Sequence, residues 1–231
     1  KTLSLKLGAP VALLPACTTP HPGPALRMTP ERAHTNWLVV MSKAPRMGNV
    51  KTRLARDIGA AEALRFYKKN TGELLRNVGN DPRWTTVIAA APDVASEDAG
   101  FWPDEMPRVP QGSGDLGARM DRVMQTMPAG PVVLIGCDIP NVTDTRIAAA
   151  FKALGNHDAV FGPAEDGGYW LVGLKRFPRV RSIFENVRWS TEHALADTRA
   201  NLKGARVALL DTLPDIDTGA DYARWKQSHG H

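Results

Sequence analysis

Four cationic side chains surround one glycine in the early segment KAPRMGNVKTRL. They are Lys43, Arg46, Lys51 and Arg53, and Gly48 between them permits a tight turn and a close backbone approach to a ligand. The spacing is neither the GxxxxGK[ST] pattern of a P-loop nor GxGxxG. If a helix begins here, its free N–H groups and partial positive charge add to the cations. The segment therefore predicts a polyphosphate site, and the alternative is a solvated basic turn.

Carboxylates follow two later segments. Asp138 comes directly after the apolar run PVVLIGC, and Asp215 and Asp217 precede the last predicted helix. In an extended segment Asp215 and Asp217 point the same way. Because Mg²⁺ needs only one or two protein carboxylates when phosphates supply its other ligands, Asp138 and Asp217 predict a metal site for a bound diphosphate. The alternatives are an Asx-turn or cap at Asp138 and a helix cap at Asp217 or Thr218.

The segment QGSGDLGARM places three glycines before another predicted helix. Gly114 suggests a close backbone approach to a ligand, and Asp115 can bind there or cap the helix. Arg119 is either a phosphate ligand or a charge on the helix surface. We predict that all three belong to the nucleotide site, with these alternatives open.

The segment AEDGGYWLVGL combines carboxylates, a flexible turn and aromatic rings. Glu165 and Asp166 precede Gly167 and Gly168, and Tyr169 follows. Such a set suits a sugar or another polyol, although Asp-Gly-Gly is also an ordinary hairpin turn. Further along, the segment WST at 189–191 predicts a helix N-cap with a packed tryptophan.

Strands and helices alternate through the rest of the chain. Continuous apolar runs predict strands, and apolar residues at helical spacing predict helices. The predicted strands are 37–42, 85–91, 109–111, 131–137, 159–162, 169–174 and 206–210. The predicted helices are 50–57, 61–78, 116–127, 143–154, 191–202 and 220–227. This order predicts an α/β fold with a mostly parallel sheet and helices on both faces, in which ligands bind beyond the carboxyl ends of the strands.

Composition limits the class of protein. The chain has 231 residues and a formal net charge of +5, but no run of five basic residues and no basic stripe interleaved with aromatics, so we expect no nucleic-acid partner. Two cysteines far apart favour a reducing, cytoplasmic compartment. No apolar run is long enough to predict a membrane span. We expect residues 1–33 to be a disordered extension and residues 34–231 to form one transferase domain.

The motifs taken together, in the order KAPRMGNVKTRLA, QGSGDLGARM, GCDIP, AEDGGYWLVGL, WST and DIDT, resemble the DUF2064 family over about residues 36–226. That family is also called radical-SAM/selenodomain-associated transferase 1 and is placed in the GT-A, or nucleotide-diphospho-sugar transferase, superfamily. The first and last motifs are also similar to those of guanylyltransferases that activate phospholactate. The resemblance implies that three cations (Lys43, Lys51, Arg53) contact phosphates, that Asp138 and Asp217 bind Mg²⁺ or Mn²⁺, and that residues 166–168 line the acceptor pocket. We also assign Tyr169 to that pocket.

Three hypotheses for function follow. The first is a metal-dependent glycosyltransferase with a nucleotide-diphospho-sugar donor, in which Asp138 acts through the metal and Glu165 or Asp166 is the general base on a small-molecule acceptor. The second is a nucleotidyltransferase, in which an acceptor phosphate attacks an NTP and pyrophosphate leaves against Lys51 and Arg53. The third is a nucleotide-binding module without catalysis. The sequence leaves the oligomeric state undecided, with a homodimer as one option.

Overall fold

The computed structural model describes residues 35–97, 100–176 and 181–229, so the extension predicted over residues 1–33 lies outside the described residues. The strands are β1 (Trp37–Lys43), β2 (Thr85–Ala91), β3 (Arg108–Pro110), β4 (Val132–Gly136), β5 (Ala159–Pro163), β6 (Tyr169–Leu174) and β7 (Val207–Leu209). The α-helices are α1 (Thr52–Ile58), α2 (Ala60–Val78), α3 (Leu116–Thr126), α4 (Asp144–Asn156), α5 (Ala194–Ala200) and α6 (Gly219–His229). A short 3₁₀ helix, Asp93–Glu97, follows β2 in the segment predicted as a loop.

The seven strands form one sheet in the order β3-β2-β1-β4-β6-β5-β7. All neighbouring strands are parallel except β6, which runs antiparallel to both β4 and β5. The α/β class and the mostly parallel sheet predicted from sequence are therefore confirmed.

Both faces of the central strands are covered. Successive side chains of a strand point to opposite faces, yet four consecutive residues of β1, from Trp37 to Val40, are buried, as are the four from Val132 to Ile135 in β4. This explains why these strands appear in the sequence as continuous apolar runs rather than as alternating ones.

The turn between β5 and β6 also lies at the ligand-binding edge. Because β6 is antiparallel to both β4 and β5, β5 has the same direction as β4, and the turn at residues 164–168 follows its carboxyl end. The segments that follow β1, β3, β4 and β7 reach the same edge. Five chain segments that are far apart in sequence therefore meet along one side of the sheet.

Two helices begin at least two residues later than predicted, and the other helix starts agree with the prediction to within one residue. Helix α1 begins at Thr52, because Lys51 before it has a left-handed backbone. Helix α5 begins at Ala194 rather than at 191, so the predicted N-cap in the WST segment is wrong, although its tryptophan is packed. No helix in the described part of the chain is long and apolar enough to cross a membrane.

Candidate active site

A cleft of about 460 Å³ lies at the carboxyl edge of the sheet. It is lined by side chains from the segments after β1, β3, β4, β5 and β7 and from the start of α3. Nine of the candidate site residues named from sequence line it: Lys43, Lys51, Arg119, Asp138, Asp166, Gly168, Tyr169, Asp215 and Asp217. Seven others do not: Arg46, Gly48, Arg53, Gly114, Asp115, Glu165 and Gly167.

Lys51 joins the two predicted metal ligands. Its Nζ lies 3.3 Å from Oδ1 of Asp138 and 3.1 Å from Oδ1 of Asp217, and it donates to the carbonyl of Ile216 at 2.9 Å. Only 3% of its side chain is exposed. Burial by itself would lower the pKa of Lys51, but the charges of Asp138 and Asp217 outweigh it and hold the pKa above its ordinary value. The ammonium therefore stays charged and holds both carboxylates at one point.

The backbone of Lys51 is adapted to this position. Its φ of 47° and ψ of 45° lie in the left-handed region, which costs a non-glycine residue about 1–2 kcal/mol. Contacts of the ammonium with two carboxylates and a carbonyl offset that cost. A strained residue directly before a helix, with its charge buried in a cleft, is the kind of feature that clusters at functional sites.

The other cations of the same segment lie further out. Lys43, the last residue of β1, is exposed and lines the cleft. Arg53 is 63% exposed and lies at the rim, with Nη1 3.5 Å from Oδ2 of Asp217. Arg46 and Gly48 are exposed and do not line the cleft. The predicted basic loop therefore contributes two cations to the cleft and one to its rim.

Helix α6 does not need Asp217 as its cap. The hydroxyl of Thr218 accepts from the Asp221 amide at 3.2 Å, and Oδ2 of Asp221 accepts from the Thr218 amide at 2.7 Å, which is a reciprocal capping box. The capping alternative thus applies to Thr218, and the Asp217 side chain is left to face Lys51. Similarly, Thr143 rather than Asp138 caps α4.

The acidic residues fit a hard divalent cation. Asp138 and Asp217 each place an oxygen on the same ammonium, so one cation can contact both, and their side chains are 58% and 34% exposed. Carboxylate oxygens are the donors that Mg²⁺ and Mn²⁺ prefer. Burial, together with the neighbouring Asp166 and Asp217, raises the pKa of Asp215, which also lines the cleft. The described residues contain no cluster of three or more His, Cys, Asp or Glu side chains arranged around a metal position.

Two polar side chains of α2 anchor the strand ends that carry the site. The Tyr67 hydroxyl accepts from the Lys43 amide at 2.9 Å and donates to the Lys43 carbonyl at 2.8 Å, and the Cys137 thiol donates to it at 3.2 Å. Asn70 donates to the Cys137 carbonyl at 2.7 Å. Sequence reasoning missed both roles, because Tyr67 fits the apolar stripe of the helix. The signal available in the sequence was Asn70, a polar residue three positions after Tyr67 on the same side of the helix.

Gln111 performs a similar task on the β3 side. It is 3% exposed, and its amide nitrogen donates to the carbonyls of Ala89 and Ser42 at 2.7 Å and 3.3 Å. Its Oε1 accepts from Nη1 of Arg119 at 3.1 Å, which fixes this guanidinium at the cleft.

Asp115 caps α3 by accepting from the Ala118 amide at 2.8 Å, as its capping alternative predicts.

The turn between β5 and β6 brings Asp166 to the opposite side of the cleft. Asp166 is exposed and accepts from the Gly168 amide at 2.8 Å. Gly167 has a φ of 83°, and a Cβ at this position would collide with the backbone of Glu192. Gly167 thus has a structural role in docking the turn, whereas Asp166 and Gly168 face the cleft.

Trp189 forms a wall that sequence analysis did not assign to the site. Its ring packs directly on Gly117, where any side chain would collide with it, and its centroid lies 6.4 Å from that of Tyr169. Ser190 follows with a left-handed φ of 60° and also lines the cleft. This conformation of the segment, rather than helix capping, accounts for the WST motif.

Comparisons with known proteins agree with this fold. The model of the family DUF2064, described as an uncharacterized protein conserved in bacteria, matches residues 74–191. A structure from Desulfovibrio desulfuricans G20, provisionally named a nucleotide-diphospho-sugar transferase, is 25% identical over 86% of this chain and 89% of that one, with a TM-score of 0.79. None of the curated proteins compared matches the chain.

Two more distant structures share the fold alone. The 4-diphosphocytidyl-2C-methyl-D-erythritol synthase of Anaerococcus prevotii DSM 20548 is 9% identical, with 86% of this chain and 99% of that chain covered and a TM-score of 0.57. A CMP:2-keto-3-deoxy-manno-octonic acid synthetase in complex with CTP is 10% identical, with 84% and 98% covered and a TM-score of 0.51.

Proposed function

The chain belongs to the DUF2064 family, and from this membership and the geometry of the cleft we propose that it is a metal-dependent glycosyltransferase with a nucleotide-diphospho-sugar donor. Its class is that of a transferase with the nucleotide-diphospho-sugar transferase fold. The observation that carries the finer proposal is the contact of Lys51 with both Asp138 and Asp217 in one cleft. A cation and two carboxylates at one point suit a metal-bound diphosphate.

The residues around Lys51 would bind the donor. Lys43 and Lys51 supply positive charge inside the cleft, and Arg53 supplies it at the rim. A bound Mg²⁺ or Mn²⁺, held by Asp138 and Asp217 with the donor phosphates as its remaining ligands, would stabilise negative charge on the departing nucleoside diphosphate. Because Tyr67 and Asn70 fix the ends of β1 and β4, these charges are positioned before the donor arrives.

Asp166 is the better placed of the two general-base candidates. It lines the cleft, whereas Glu165 does not. The acceptor oxygen would bond to the anomeric carbon of the sugar while the bond from that carbon to the diphosphate oxygen breaks. The acceptor proton would pass to the Asp166 carboxylate, and the nucleoside diphosphate would leave with the electron pair.

A nucleotidyltransferase is the second candidate, and one observation favours it. Lys43 and Arg119 add two cations on the β3–β2–β1 side of the cleft, and a triphosphate has more charge to neutralise than a diphosphate. In that reaction an acceptor phosphate would attack the α-phosphorus of an NTP, and pyrophosphate would leave.

Identifying the released product separates the two reactions. The protein is incubated with Mg²⁺ or Mn²⁺ and either a panel of nucleotide sugars or the four NTPs, each with a mixture of neutral and phosphorylated acceptors. Phosphorus NMR then distinguishes a nucleoside diphosphate from pyrophosphate. The proposal expects a nucleoside diphosphate from a nucleotide sugar. Pyrophosphate released from an NTP only when an acceptor phosphate is present would refute it in favour of the second candidate.

A further inference from the structure

The two sides of the cleft carry opposite charge. On the side of β3, β2 and β1 lie Lys43, at the end of β1, and Arg119, which Gln111 holds in place after β3. On the side of β6, β5 and β7 lie Asp166, after β5, and Asp215, after β7. We call these the basic half and the acidic half.

Lys51, between the halves, compensates the charge of the acidic half only in part, since its charge acts on Asp215 without a salt bridge to it. Its ammonium is bound to Asp138, Asp217 and the carbonyl of Ile216. Asp166 accepts a backbone amide, and within the described ranges no lysine or arginine forms a salt bridge with Asp166 or Asp215. An anionic group entering the acidic half would therefore meet carboxylates without a salt-bridge partner, and their repulsion costs free energy in a cleft partly shielded from water.

An apolar wall extends from Tyr169, in the acidic half, to the start of α3. Trp189 and Tyr169 pack edge to face, and the Tyr169 hydroxyl is within 3.4 Å of the Thr198 hydroxyl, so its ring rather than its polar end is available to the cleft. Leu116, the first residue of α3, lines the cleft with 37% of its surface exposed. Because aromatic rings pack against apolar C–H surfaces, this wall suits a ligand with one apolar face.

We infer that the acidic half binds an uncharged acceptor that carries hydroxyl groups on one side and an apolar face on the other, and that it rejects phosphorylated acceptors. The inference rests on the proposed function, since it names the acceptor of the same cleft. Asp166 accepts hydrogen bonds from the acceptor hydroxyls, and the wall of Tyr169, Trp189 and Leu116 packs against its apolar face.

Two probes with the same sugar test this selectivity. Binding of phenyl β-glucoside and of glucose 1-phosphate to the full chain is measured by isothermal titration calorimetry, with and without Mn²⁺ and pyrophosphate. We expect phenyl β-glucoside to bind about tenfold more tightly or better, because only this probe has an apolar face and no negative charge. Equal or tighter binding of glucose 1-phosphate, or binding of neither sugar, would overturn the inference.

Reversing the charge at position 166 should increase the affinity for a phosphorylated sugar, and a misfolded variant would not show such a gain. Asp166→Lys places a cation in the acidic half, so it should increase the affinity for glucose 1-phosphate about tenfold. Glu105→Lys changes the net charge equally but lies on an exposed loop outside the cleft, and it should leave that affinity at the wild-type value. No gain in Asp166→Lys, or an equal gain in both variants, would contradict the assignment.

The wall is tested by Trp189→Leu, which should weaken binding of phenyl β-glucoside about tenfold while binding of pyrophosphate with Mn²⁺ stays unchanged. The unchanged pyrophosphate affinity also verifies that the variant is folded. If pyrophosphate with Mn²⁺ fails to bind the wild-type protein, the proposed donor site is wrong whichever sugar binds. The preference between the two sugars is measured separately, so the two failures are distinguishable.

Discussion

The hydroxyl of Tyr67 holds both backbone polar groups of Lys43, accepting from its amide at 2.9 Å and donating to its carbonyl at 2.8 Å. The same oxygen accepts a hydrogen bond from the thiol of Cys137, the residue before Asp138. One side chain of α2 therefore ties the start of the basic loop to the strand end that carries a candidate metal ligand. The geometry of the site therefore depends on Tyr67, which bonds neither to the ammonium of Lys43 nor to the carboxylate of Asp138.

Removing that hydroxyl should affect both stability and binding. Tyr67→Phe leaves the partly buried amide and carbonyl of Lys43 without this partner, so we expect the free energy of unfolding to fall by about 1 kcal/mol. The affinity for pyrophosphate with Mn²⁺ should fall as well, because the end of β1 is no longer fixed. Chemical denaturation and calorimetry check the two effects. A variant as stable as the wild type, with the same affinity, would contradict the anchoring role.

Asp138→Asn should abolish turnover and leave the fold intact. The amide keeps the size of the side chain but loses the negative charge that the metal requires. Asp144→Asn is the matched control, since Asp144 is also exposed, follows β4 and lies outside the cleft. It should retain the wild-type rate of nucleoside diphosphate release. Full activity of Asp138→Asn would refute the metal role.

Lys51→Met should destabilise the protein, and divalent metal should stabilise this variant more than it stabilises the wild type. Without the ammonium, Asp138 and Asp217 face each other unneutralised, and we expect a loss of about 1–3 kcal/mol, reduced from the cost at a fully buried pair because Asp138 is half exposed. Mg²⁺ can then take the place of the ammonium.

Thermal unfolding with and without Mg²⁺ provides the measurement for Lys51→Met. Added Mg²⁺ should raise the midpoint of the variant by more than it raises that of the wild type. Equal shifts for the two proteins would mean that the carboxylates around Lys51 do not form the metal site.

Acid should reduce the stability that the pair Arg188–Asp197, next to Trp189, gives the fold. The Arg188 guanidinium donates to both carboxylate oxygens of Asp197 at 2.8 Å, and this holds the pKa of Asp197 below its ordinary value. Since the folded-state pKa is lower than the unfolded one, the pair contributes stability above about pH 4 and loses it as the pH falls further.

The test compares the wild type with Asp197→Asn. Chemical denaturation at about pH 7 and at about pH 3 measures the free energy of unfolding of both proteins. The wild type should be more stable than the variant at neutral pH and should lose more stability on acidification, because only the wild type has the ionised carboxylate of Asp197. Equal losses of stability in the two proteins would contradict the role of the Arg188–Asp197 pair.

The strands were predictable because burial on both faces leaves a direct trace in sequence, as in the apolar runs of β1 and β4. The loops of the cleft were predictable in type, since charged and glycine-rich segments follow those runs. The pairing of Lys51 with Asp217, 166 positions later, was not, because it depends on how α1 and the segment before α6 pack together. The left-handed backbone of Lys51 and the ring of Trp189 over Gly117 are likewise products of tertiary structure.

Anomalous diffraction tests the metal and diphosphate site most directly. Crystals of the full chain grown with Mn²⁺ and pyrophosphate are measured at the manganese edge. We predict one anomalous peak coordinated by Asp138 and Asp217, with pyrophosphate bound to it on the side of Lys43 and Lys51. Manganese bound away from these carboxylates, or pyrophosphate bound beyond reach of both lysines, would contradict the account.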